Sequence, residues 1–155
     1  MRKVIDEHGE IVDELYEGDR IIRKSTSEYL SRRINIHGND SFIKVYSKPL
    51  FDLADDLTGN ESVMLIYLLR YLGYDCILRF NNGKAITRQF ILADTAQSQK
   101  TVDRAMRGLI EKGIAGKHKT NETYCYTVNP YIFAKGTGVD KGIAAFYAST
   151  KWANK

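Results

Sequence analysis

Between Gln97 and Arg107 the chain reads "QSQKTVDRAMR", a run whose polar members suit the grooves of a nucleic acid. Gln97 and Gln99 carry amides that can bond adenine at two points, Arg104 a fork that fits guanine, and Thr101 a methyl for thymine. Lys100 completes this set within two helical turns, and Ser98 can accept an N–H of the first turn and so fix where a helix starts. Phosphate contacts would fall to Arg88 and Arg107, with Lys117, His118 and Lys119 reaching the backbone from a second element.

Such side chains need a rigid support, and the same stretch supplies one. Val102, Ala105, Met106, Leu109 and Ile110 recur at i, i+3, i+4, i+7 and i+8, which predicts an amphipathic helix with one buried stripe. Periodicity alone fits equally an ordinary surface helix whose polar face meets only water. The order of the neighbouring elements separates the two readings.

Upstream, Leu50, Leu53, Ala54 and Leu57 predict a helix with Pro49 in its first turn, closed by Gly59. Asn60 is then expected to cap "NESVMLIYLLRYLGY", which is apolar nearly all round and reads as a central core helix. "DCILRFNNGKAIT" predicts a hairpin about Asn81-Asn82-Gly83, and "TRQFILADTAQ" a short helix with Phe90, Ile91 and Ala93 inward. After the Gln97–Arg107 helix, Lys112-Gly113-Ile114 stops it, and "IAGKHKTNETYCYTVNP" makes two strands around Thr120-Asn121-Glu122. This order is that of a winged helix-turn-helix: mainly α with small β-hairpins. The reading divides the chain into an N-terminal appendage over 1–41, the winged domain over 42–136 and a tail over 137–155. The appendage is expected to begin with a hairpin of Val4-Ile5 and Ile11-Val12, and to hold a short helix and a Gly38-Asn39-Asp40 loop within 26–40.

The residues now support a resemblance. "ITRQFILADTAQSQKTVDRAMRGLIEKGI" resembles the winged helix-turn-helix of bacterial regulators, with Ser98-x-x-Thr101-Val102 and Leu109-x-x-Lys112-Gly113-Ile114. Phe42-x-Lys44-Val45 before it and "NPYIFAKG" after it narrow the likeness to RepL-type plasmid replication and maintenance proteins of Firmicutes. The resemblance implies sequence-specific binding to double-stranded DNA, in replication initiation or copy control of a plasmid or phage element. A transcription regulator built on the same winged helix would need the same residues. A winged helix that binds only proteins is the rival of another class, and the acidic blocks suit a basic partner. Two departures stand out: Ala96 occupies the turn position where glycine is usual, and Gly108 interrupts the recognition helix, through close packing or as a soft helix end.

Charge is distributed in blocks. Residues 1–19 carry net −5, 20–48 net +5, 49–75 net −4 and 76–119 net +6, so the segment bearing the candidate helices is the most basic. Other chemistry lacks its residues. His8, His37 and His118 are scattered, which argues against a metal-dependent nickase, and Gly108-x4-Gly113 is followed by Ile114 where a phosphate-binding loop needs Lys. No enzymatic activity, cofactor or metal is therefore expected. Cys76 and Cys125 read as small buried hydrophobes. No apolar run approaches the ~20 residues that cross a bilayer, so the expectation is a cytoplasmic protein without membrane contact. Tyr124, Tyr126, Tyr131 and Phe133 are expected to pack on the domain rather than stack on bases. The tail's Ile143, Phe146, Tyr147 and Trp152 raise two expectations, a homodimer contact or packing on residues 1–40.

Overall fold

A computed structural model describes residues 2–5, 11–15, 41–120, 123–136 and 138–153. The chain divides into two compact units, Met1–Asp40 and Ser41–Lys155. In the first, β1 (Arg2–Ile5) pairs antiparallel with β2 (Ile11–Leu15), from Arg2 opposite Leu15 to Ile5 opposite Ile11. The expected short helix and loop within 26–40 lie outside the described residues.

The second unit opens with β3 (Ile43–Val45), followed by α1 (Ser47–Asp56) and α2 (Gly59–Leu69). Next come α3 (Arg88–Thr95) and α4 (Gln99–Glu111), then the wing strands β4 (Ala115–Thr120) and β5 (Thr123–Val128). β6 (Phe133–Lys135) and α5 (Lys141–Tyr147) complete it. This is a mainly α winged helix-turn-helix. The two flanking segments that carried the family resemblance frame it as a pair: β3 and β6 run antiparallel, with Ile43 opposite Lys135 and Val45 opposite Phe133.

The core lies among α2, α3, α4 and the wing, where Leu68, Leu78, Ile86, Ile91, Val102, Leu109, Ile114, Val128 and Ile132 are fully buried. Each element contributes through its own period. On α4 the inward residues are Val102, Ala105, Met106 and Leu109, with Ile110 half-buried at the margin. The wing is widened by Cys76–Leu78, which lies along β5: Leu78 N–H donates to Tyr126 O at 2.9 Å and Val128 N–H to Cys76 O at 3.1 Å. Both cysteines are buried and free. Burial, then the nearby Asp75 carboxylate, pushes the Cys76 thiol up to about 11, so it stays protonated and unreactive at neutral pH.

Several local expectations change. Thr58, not Asn60, caps α2: its hydroxyl accepts from Glu61 N–H while the Glu61 carboxylate accepts from Thr58 N–H, a reciprocal capping box. Gly59 therefore begins α2 instead of closing α1, which ends at Leu57 in extended backbone. The buried face of α1 runs through Pro49 and Leu53, and Leu50, one position round, stays 47% exposed. α2 is covered only on the side of Met64, Leu65 and Leu68; Val63 and Ile66 face outward. The 77–86 hairpin shrinks to an isolated bridge between Arg79 and Ala85, with a tight turn at Gly83 (φ 84°). Ala93 is exposed, because the inward face of α3 is set by Ile91. Of the four strand aromatics, Tyr126 and Phe133 are buried and Tyr131 half-buried, whereas Tyr124 is exposed.

The tail is part of this unit. Tyr147 and Trp152 are both 1% exposed within it, while Phe146 remains at the surface.

Candidate nucleic-acid interface

The two helices of the central motif are each started by a hydroxyl. Thr87 accepts from Phe90 N–H at the head of α3, and Ser98 accepts from Thr101 N–H at the head of α4. Between them Ala96 adopts φ 51°, ψ 19°, the left-handed conformation that explains why glycine is usual there. Ser98 Oγ and Thr101 Oγ1 also lie 2.8 Å apart, so both hydroxyls are engaged in starting the helix.

Arg88, expected at phosphate, is committed inside the motif. Its Nε and Nη2 donate to the two carboxylate oxygens of Asp103, each at 2.8 Å, joining the first turn of α3 to α4. The bond lowers the Asp103 pKa and raises that of Arg88, so the pair is fully ionised at neutral pH.

Lys100, Arg104 and Arg107 recur at i, i+4 and i+7, on the side of α4 opposite its buried stripe, and all three are exposed. Lys100 and Arg104 have no hydrogen-bond or ion-pair partner among the described residues. Gln97, in the turn, is exposed as well. The structure therefore brings Lys100, Arg104 and Arg107 together, and assigns Ser98, Thr101 and Arg88 to holding the motif.

The far end of α4 is anchored by contacts between residues distant in the chain. Lys112 Nζ reaches both the Glu61 carboxylate and Asp56 O, tying α4 to the α1–α2 junction. Burial would raise the Glu61 pKa, but the Lys112 ammonium and the Thr58 N–H outweigh it and hold the carboxyl below its usual range. A Cβ on Gly108 would collide with this carboxylate, so Gly108 is a close-packing glycine rather than a soft point in the helix. Gly113 then turns the chain at φ 70°, and the last carbonyls find donors from elsewhere: Trp152 Nε1 bonds Lys112 O at 2.8 Å, and Asn129 Nδ2 bonds Gly113 O at 2.7 Å. Asn129 also bonds Thr150 Oγ1 and accepts from Tyr131 N–H. Beyond Lys112-Gly113-Ile114, the sequence signals were Thr58-x-x-Glu61, which spells a capping box, and the Asn129-Pro130-Tyr131 segment of the resemblance.

On the wing, strand alternation separates the three expected residues. Lys117 and Lys119 are exposed, with Lys117 Nζ 4.4 Å from the centroid of the Tyr124 ring. His118 faces the other way, against α5. Its Nε2 is 2.9 Å from Thr127 Oγ1, its ring lies 4.2 Å from that of Phe146, and burial lowers its pKa. A neutral ring packed there is a wing–tail contact, which corrects its expected place among the phosphate-facing residues. The wing tip, residues 121–122, lies outside the described residues.

Among the described residues no three His, Cys, Asp or Glu side chains are grouped to hold a metal ion, and no helix is long and apolar enough to cross a membrane. No curated protein and no solved structure matches the chain. A family model does: that of the Firmicute plasmid replication protein (RepL), over residues 14–148, which takes in the whole of β3 to α5. The chain thus belongs to the RepL family of plasmid replication proteins.

Proposed function

We propose that the protein binds duplex DNA sequence-specifically, with the first half of α4 in the major groove, and that this contact serves replication initiation or copy control. Gln97, Gln99, Lys100 and Arg104 face base edges, Thr101 presents its methyl beside them, and Arg107, Lys117 and Lys119 meet phosphates. The observation that carries the reading is the Lys100–Arg104–Arg107 stripe. It is exposed and basic on the face opposite the core, on a helix fixed at both ends by Ser98, the Arg88–Asp103 pair, Lys112 and Trp152. A helix held this firmly can present forked side chains in one register, as base reading requires.

The protein acts here without catalysis, as a reader that marks a site. Titration onto labelled fragments tiling its own gene and flanking DNA, at two salt concentrations, tests this. One fragment should be preferred over a scrambled duplex, with affinity falling as salt rises. Equal binding to all fragments would remove the sequence-specific reading, and no binding at low salt would leave a protein partner as the function.

A further inference from the structure

We infer a second nucleic-acid site, outside α4 and the wing, that takes unpaired nucleotides of a single DNA strand. It is an open cleft of about 460 Å³, bounded by the end of α2, the turn that follows it, the Gly83 turn and Lys135 of β6. Tyr74 stands at its edge with 64% of its surface exposed. Its ring is held by close packing: Gly136 is at φ 82°, and a Cβ there would meet Tyr74 Cδ1 at 2.7 Å. Lys135 Nζ lies 5.0 Å from the centroid of the same ring.

The charge of the cleft is net positive and partly free. Its one carboxylate, Asp75, is occupied by Arg79 (Nε at 3.1 Å) and by Ile77 N–H. Arg79 is further held by Gly83 O at 2.9 Å. That leaves Arg70 and Lys135 as cleft-lining cations with no ion pair among the described residues, each beside an aromatic ring: Arg70 is 5.6 Å from the centroid of Tyr67 and 5.8 Å from that of Tyr71, and Lys135 is next to Tyr74. An exposed ring with Lys135 beside it and Arg70 lining the same cleft suits a base stacked on the ring with its flanking phosphates on the cations. In duplex DNA the faces of the bases are covered by their neighbours, so the ring can be used only by an unpaired strand. A protein of a replication family meets such a strand when a duplex opens.

The experiment is anisotropy of a labelled 15-mer of thymidylate with the full chain, beside a duplex control. Wild type should bind the strand, Tyr74→Ala should weaken it about tenfold or more, and Tyr74→Phe should keep it. Lys135→Ala should reduce the dependence of log affinity on log salt by about 0.7. Duplex affinity should stay within about twofold in Tyr74→Ala, while Arg104→Ala should do the reverse; failure of either site is then seen separately. Wild-type strand binding by Tyr74→Ala, or no strand binding by wild type, would overturn the inference. So would displacement of the strand by thymidine monophosphate at the same concentration in nucleotides, which would mark a pocket for free nucleotide.

Discussion

Arg88 and Asp103 meet in a two-pronged ion pair, both N···O distances 2.8 Å, that bolts the first turn of α3 to α4. An arginine that the sequence suggests for DNA backbone is thus spent on fixing the angle between the two helices of the motif. Arg88→Ala and Arg88→Lys should both weaken DNA binding, because an ammonium cannot reproduce the parallel pair of bonds. Titration of both variants against the same duplex checks this; full affinity in Arg88→Lys would show that charge alone matters.

The same pair sets a pH dependence. The Asp103 pKa is lowered by Arg88, so its contribution is fully present above the ordinary aspartate value of about 3.9 and is lost as pH falls through the lower folded value. Glu61, also lowered, acts in the same direction. Wild type should therefore lose its advantage in melting temperature over Asp103→Asn below about pH 4. A gap that stays constant from pH 7 to pH 3 would contradict the assignment.

Gly108→Ala separates two accounts by sign. In an exposed helix this change stabilises by about 1 kcal/mol. Against the Glu61 carboxylate it should instead destabilise by about 1–3 kcal/mol, in urea unfolding. Adding Glu61→Ala should make the glycine substitution less harmful than it is alone, the mark of coupled neighbours.

Ala96→Gly should be neutral or stabilising by up to about 1 kcal/mol, since it relieves a left-handed alanine at the cost of a freer unfolded chain. Ala96→Val should destabilise clearly, because a β-branched residue resists that conformation. Both follow from denaturant midpoints.

The tail is predicted to be part of the folding unit. Trp152→Phe should cost about 1 kcal/mol through the lost bond to Lys112 O, and Trp152→Ala about 3–5 kcal/mol through the cavity. A chain ending at Val139 should lose cooperative unfolding. Unchanged calorimetric unfolding of that shortened chain would contradict it.

What was legible in the sequence is what depends on period and punctuation. The stripe from Val102 to Leu109, the Gly113 stop and the alternation of the wing need only local rules, and the motif followed from their order. What was not legible depends on partners distant in the chain. Arg88 cannot be told from a phosphate-binding arginine until Asp103 is seen opposite it. Gly108 looks like a weak helix position until Glu61 is placed 47 positions away in sequence. His118 lies between two exposed lysines, and only the tail folding over β4 shows that it faces inward. Trp152 gives no sign in the sequence of its partner, Lys112 O at the end of α4, 40 positions away.

The central claim is that Arg104 reads a base, and the most direct test is the affinity of Arg104→Ala for the preferred fragment and for a scrambled duplex at one salt concentration. Loss of about 1–3 kcal/mol on the preferred fragment, with little change on the scrambled one, is the predicted result. An equal loss on both would make Arg104 a phosphate contact, and no loss on either would contradict the placement of α4 in the groove.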